Sequence, residues 1–154
     1  MLKICIAQLA ELVDGRLRLA SMPPLAGGYE PTGRIVIDSN MVSPGDLYWA
    51  LDGCGHNGSS YTQQAFASGA QGVVVAGRGV EPWAGKFCIE VADSNRSFCY
   101  FVRCLQGTFL KNRTPIYLGV PNEIFLLKAI VAGNESVLEV LIQRQATRST
   151  LLTA

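Results

Sequence analysis

At 154 residues and a formal net charge of +1, the chain is long enough for one domain, or for one domain and the start of another. Its 49% hydrophobic content supports a packed core and excludes global disorder. Lysines and arginines are scattered rather than gathered into a stripe, so no nucleic-acid partner is expected. No apolar run reaches transmembrane length, so no membrane partner is expected either.

The N-terminus, Met1-Leu-Lys-Ile-Cys, lacks the charged segment, apolar stretch and cleavage site of a secretory signal. Cytoplasm is the expected compartment. The five cysteines stand at 5, 54, 88, 99 and 104 with no Cys-x-x-Cys spacing. They read as reduced thiols acting as small hydrophobes rather than as a disulfide framework. With His56 the only histidine, a structural zinc site is not expected.

In chain order, Lys3 to Ile6 reads as a short strand and Gln8 to Val13 as a helix, with Gly15 as its left-handed cap. Arg16 to Leu19 alternates like a half-buried strand, and Ser21 to Gly33 is an exposed Pro/Gly-rich connection. Two apolar runs, Ile35 to Ile37 and Leu47 to Leu51, predict buried strands. Between them Ser43-Pro44-Gly45-Asp46 predicts a tight type II turn, Pro44 presetting φ and Gly45 taking the positive φ. Asp38, Ser39 and Asn40 end the first strand, and Gly53 to Ser60 follow the second. Flanking a tight connection, these two polar loops suit either plain solvated links or the walls of a small polar site.

Further on, Tyr61 to Ser68 predicts a helix with Ala65 and Phe66 inward, ended by Gly69. Gly72 to Ala76 is a buried strand of the parallel kind. Gly77 to Gly85 is a loop holding Trp83, and Phe87 to Val91 another strand. Asp93 or Ser94 can cap a helix to about Leu105, with Phe98, Phe101 and Val102 on one stripe. Past Gly107, Thr114 to Val120 reads as a strand, and Glu123 to Ala132 and Ser136 to Gln145 as helices. The alternation gives an α/β sandwich.

The pattern Ser39-x-x-Val42-x-Pro44-Gly45-Asp46-Leu47-Tyr48-x-Ala50-Leu51-x-Gly53 resembles the signature of the N-terminal domain of the Mur ligases. So do Asn57-Gly58, the helix after it and Ser68-Gly69-Ala70-Gln71-Gly72-Val73-Val74-Val75. The opening Lys3 to Gly15 is similar to the branch that adds D-alanyl-D-alanine to the UDP-muramoyl-tripeptide. The likeness covers roughly seven tenths of the chain, about residue 3 to about 108. It implies an α/β fold with a mixed sheet and flanking helices. Residues 1–108 would be the domain that binds UDP-N-acetylmuramoyl-peptide, and 109–154 a divergent or truncated tail where the ATPase domain would begin.

Carried over by position, the resemblance implies substrate contacts at Ser39, Asn40, Cys54, Gly55, His56 and Asn57. Asn40 stands where the family usually has arginine, Asn57 where it has aspartate and Ser59 where it has histidine. Loss of the arginine removes a cation and a bidentate fork for phosphate. Trp83 and Tyr48-Trp49 offer rings for stacking on a base, or in the case of Trp49 for the core. Cys54-x-His56 pairs a nucleophile with a base but has no third orienting group.

ATP and magnesium are implied for a complete enzyme but not for this chain. A phosphate loop needs glycines, a lysine and a hydroxyl, whereas Val131-Ala-Gly-Asn-Glu-Ser-Val137 has one glycine and an acidic residue. The implied function is therefore the substrate-binding part of a peptidoglycan-precursor ligase, not catalytic by itself. Its rival is a non-catalytic stand-alone module with an interaction or regulatory role, and a small hydrolase using Cys54 ranks below both.

Overall fold

The computed structural model describes residues 4–20, 31–53, 55–104, 116–119, 123–134, 136–140 and 142–143. Six strands form one sheet: β1 (Arg16–Leu19), β2 (Ile35–Val36), β3 (Leu47–Trp49), β6 (Gly72–Ala76), β7 (Phe87–Val91) and β8 (Ile116–Tyr117). Their spatial order is β1-β7-β6-β3-β2-β8, and every pairing is parallel except that of β1 with β7. A small antiparallel ladder, β4 (Asp52–Gly53) with β5 (His56–Asn57), stands beyond the end of β3. Helices among the described residues include α1 (Ile6–Leu12), α2 (Thr62–Ala67), α3 (Ser94–Cys104) and α4 (Glu123–Val131), and residues 136–140 and 142–143 are helical where the sequence predicts a helix.

Side chains in a strand point alternately to opposite faces, and residues 47–51 sort accordingly. Leu47, Trp49 and Leu51 join Ile6, Leu9, Phe98, Phe101, Leu127 and Ile130 in a core beneath α1, α3 and α4. Tyr48 and Ala50 join Ala65, Phe66, Val73, Val75 and Cys88 beneath α2. Trp49 is wholly buried, its ring centroid 5.3 Å from those of Phe98 and Phe101, and its indole N–H donates to the Ser94 carbonyl at 3.2 Å. Beyond residue 109, β8 pairs with β2, α4 packs on α3, and Leu138 and Ile142 are buried in the first core.

The strands β2 and β3 lie side by side in parallel, where a tight hairpin-like connection is expected from the sequence. The ten residues 37–46 therefore return the chain from the C-terminal edge of the sheet to its N-terminal edge. The expected turn is present, with Gly45 at φ +88° and Asp46 N–H donating to the Ser43 carbonyl at 3.1 Å. It sits at the edge opposite the polar loops and is not a hinge between them.

Other differences are local. Ile6 opens α1 instead of closing a strand, and Cys5 makes only an isolated bridge to Pro31. The left-handed residue after α1 is Asp14, at φ +53°. Gly15 is required for a different reason: a Cβ there would lie 2.5 Å from Ile89 Cγ2. The expected free thiols are seen at Cys5, Cys88, Cys99 and Cys104, and Cys104 is exposed.

Candidate functional site

In open α/β sheets, ligands bind outside the carboxyl ends of the strands, in the crevice where the chain leaves neighbouring strands toward opposite faces. Here the neighbouring strands whose exits diverge are β2 and β8. After β2 the chain turns toward α2, and after β8 it leads to α4 on the other face. Gly119, at φ +80°, lets the β8 exit run close by, since a Cβ there would lie 3.2 Å from both Cβ and Oδ2 of Asp38.

Asp38 builds the first wall. Its Oδ1 accepts the N–H of Asn40 at 3.0 Å, capping the 3-10 turn Ser39–Met41. Ser39 is buried at 6% exposure, and Asn40 is half-buried with its Oδ1 accepting from Gln64 Nε2 of α2 at 3.0 Å. The turn thus holds Asn40 against the helix that follows the second wall.

The second wall begins at Asp52. Its Oδ1 accepts the Gly58 N–H at 2.7 Å, and Asn95 of α3 clasps its backbone at both N–H and carbonyl. Ser94 Oγ donates to the Ala50 carbonyl, so α3 locks the β3 exit from below. Asn57 Oδ1 accepts the Ser59 N–H at 3.1 Å and caps the 3-10 turn Gly58–Tyr61, which runs straight into α2. Asn57 is extended at φ −113°, not left-handed as its pairing with glycine suggests. Gly58 is fixed by proximity, because a Cβ would stand 2.5 Å from the Leu51 carbonyl oxygen.

Asn40 therefore meets α2 through Gln64, and Asn57 caps the 3-10 turn that leads into α2. Gly55 is exposed at φ +77° in the β4–β5 connection. Cys54 and the His56 side chain lie outside the described residues. Tyr48 and Trp49 are sequestered: the Tyr48 hydroxyl donates to the Gly58 carbonyl at 3.0 Å. Burial first, then the charges of Asp38 and Asp52, raises the Tyr48 pKa, so it stays a neutral donor. Trp83 does not offer its ring to a base in this arrangement. It stacks on Phe66 at 5.7 Å and donates to Gln63 at 2.8 Å.

Chemically the edge offers hydroxyls and amides for recognition. No group of three or more His, Cys, Asp or Glu suited to a metal occurs among the described residues. Nothing in the sequence singles out Gln64, Asn95 or Asp52. The local signals are the Asx-turn spacings Asp38-x-Asn40 and Asn57-x-Ser59.

A phosphate loop would follow a strand and open a helix, and the unit with that order is β8 to α4. The sequence between is Leu118-Gly119-Val120-Pro121-Asn122-Glu123, not the 131–137 segment. It has one glycine, no lysine and an acidic residue at the helix start, so the donor set does not fit a nucleoside triphosphate.

No family model matches the chain. Over 80 residues, 52% of the chain, it is 38% identical to the UDP-N-acetylmuramoyl-tripeptide–D-alanyl-D-alanine ligase of Mycobacterium tuberculosis, and that match spans 15% of the relative's length. It is 39% identical over 64 residues to the UDP-N-acetylmuramoyl-L-alanyl-D-glutamate–2,6-diaminopimelate ligase of Rhizobium meliloti, 42% of this chain and 13% of that one. The fold is shared with MurF from Acinetobacter baumannii at a TM-score of 0.52 and 21% identity, over 66% of this chain and 21% of that one. Among the described residues no helix is long and apolar enough to cross a membrane.

Proposed function

We propose, for a chain related to the Mur ligases of the MurF type, that its C-terminal sheet edge holds the uridine end of a UDP-N-acetylmuramoyl-peptide. Residues 1–108, completed by the strand at 116–117 and the helix at 123–131 that share their sheet and core, act as the substrate-binding domain of a peptidoglycan-precursor ligase that adds D-alanyl-D-alanine. Residues 109–154 stand where the ATPase domain would begin. ATP and magnesium belong to the complete cytoplasmic enzyme, which would activate a carboxyl group for attack by an amine. This chain's share is binding and orientation.

The supporting observation is the capped turn at Ser39 and Asn40 at the carboxyl end of β2, beside the exit of β8. The Ser39 hydroxyl can both donate to and accept from a uracil or ribose edge. Asn40 and Asn57 add amide groups, and Gly55 lets the connection between them approach a ligand closely. The rival reading, a stand-alone module with an interaction or regulatory role, draws on the neutral Asn40 and the unfit 118–123 loop.

Calorimetric titration with UDP-N-acetylmuramoyl-tripeptide separates them. The ligase reading expects saturable binding that Ser39→Ala weakens on the order of 10-fold, the effect of one lost hydrogen bond. Millimolar or weaker binding, untouched by the substitution, would support the module instead.

A further inference from the structure

The buried carboxylate of Glu90 takes no part in the candidate site and is short of partners. Glu90 is 7% exposed on β7, and neither of its oxygens has a hydrogen-bond partner among the described residues. Strand alternation places it on the α2 side of the sheet with Cys88, and in the ladders it stands opposite Arg16 and Val75. Its one ion-pair neighbour among the described residues is Arg18 of β1, whose Nη1 lies 3.9 Å from Oε2. A carboxylate in the interior without hydrogen bonds is costly, and a second position of Arg18 would remove that cost.

Arg18 is engaged elsewhere. Its Nη2 donates to both oxygens of Glu81 at 2.8 Å, and Nη1 reaches the Val80 carbonyl at a long 3.3 Å. Both partners belong to the connection 77–85, which straps the core beneath α2. Val80 packs on that core, while Trp83 stacks on Phe66 and donates to Gln63 of α2. Gly77 and Gly85, at φ +78° and +76°, form the two ends of the strap.

We propose that Arg18 is a two-position latch, holding the strap through Val80 and Glu81 in this structure and releasing it when the guanidinium turns inward to Glu90. The move is short. About 1 Å separates the 3.9 Å contact from an ordinary N–H···O distance of about 2.9 Å. The Glu81 side chain is 76% exposed, so water replaces the guanidinium there at little cost, whereas Glu90 at 6% has no such substitute. What favours the outer position is the packing of Val80 and the stacking of Trp83, which the inward turn gives up. Release of the strap uncovers Phe66, on which Trp83 now lies.

Acrylamide quenching of tryptophan fluorescence in the full chain reads the strap, because Trp49 is wholly buried and Trp83 is 42% exposed. Glu81→Gln weakens the outer partner and should raise quenching by about 2-fold, as Trp83 goes from partial to full exposure. Adding Glu90→Gln should return quenching to the parent value, since the guanidinium then has no inner carboxylate to turn to. No rise in Glu81→Gln would overturn the latch. So would a rise that persists in the double variant, the behaviour of a plain surface clamp. Should Glu90→Gln fail to fold, the Arg18 guanidinium protons of the Glu81→Gln chain decide by nuclear magnetic resonance. An arginine turned inward exchanges them with water more slowly than in the parent, and equal or faster exchange would overturn the proposal.

Discussion

The two edges of the parallel sheet are built from similar residues and put them to opposite uses. At the N-terminal edge, Arg34 reaches both oxygens of Asp46, at 3.3 and 2.8 Å, and the Ser43 N–H adds a third bond at 2.8 Å. Arg34 also donates to the Met41 carbonyl at 3.2 Å. Three glycines close the backbone around this pair: a Cβ on Gly33 would sit 2.2 Å from the Gly45 carbonyl oxygen, and one on Gly69 2.8 Å from Pro44 Cα. At the C-terminal edge the carboxylates cap backbone N–H groups, while Asn57, Ser60 and Gln64 face solvent. An edge whose polar groups satisfy one another is structural. At the C-terminal edge the amides and hydroxyls are only partly engaged, Gln64 Nε2 with Asn40 Oδ1, the Ser59 N–H with Asn57 Oδ1 and Ser60 Oγ with the Asn57 carbonyl, and Asn57, Ser60 and Gln64 stay exposed.

The largest break in that contrast is Gly33→Ala. It forces a side chain into a positive φ of 74° and onto a fixed carbonyl oxygen, at a cost of about 3 kcal/mol from strain and overpacking. Urea unfolding should show the loss. Next is Asp46→Ala, which removes the ion pair and the bond to Ser43. Arg34 keeps access to water at 35% side-chain exposure, so about 2 kcal/mol is expected rather than the full cost of a buried orphan charge.

At the other edge, Asn57→Ala deletes only a cap and should cost about 1 kcal/mol. Gly33→Ala and Asn57→Ala being equally harmful would remove the distinction between a locked edge and an open one.

An effect confined to alkaline pH belongs to neither edge. Cys88 lies wholly buried in mid-sheet, and burial first, then Glu90, pushes its pKa up to about 12 from 9.0. Above pH 9 the unfolded chain loses this proton while the folded chain keeps it. Stability should therefore fall between about pH 9 and 12 and be unaffected by this group below that window. Urea midpoints at pH 8 and 10.5, for the parent and Cys88→Ala, measure it: the decline should be shallower in the variant.

Much of this fold is legible locally. Gly69 ends α2, Asp93 Oδ1 accepts from Arg96 N–H at the start of α3, and Phe98, Phe101 and Val102 are buried on one stripe, all as the spacing predicts. The parallel pairing of β2 and β3 is not legible. A crossover between parallel strands normally takes a dozen or more residues and a helix, whereas here ten residues and one 3-10 turn suffice. Two short apolar runs around a Pro-Gly turn read equally well as a hairpin.

The site divides in the same way. Ser39, Asn40 and Asn57 come from their resemblance to a family pattern. Their long-range partners Gln64 and Asn95, 24 and 43 residues away from Asn40 and Asp52, leave no local trace. The fixed shape of Gly58 also depends on Leu51 across the ladder, which no dipeptide preference encodes.

Amide shifts in a nitrogen-15-labelled chain titrated with UDP test the division between the edges most directly. Perturbation confined to residues 38–41 and 55–61, with 31–34, 43–46 and 69–71 silent, is the predicted result. Shifts centred on Arg34, Asp46 and Gly69, or none at saturating UDP, would contradict it.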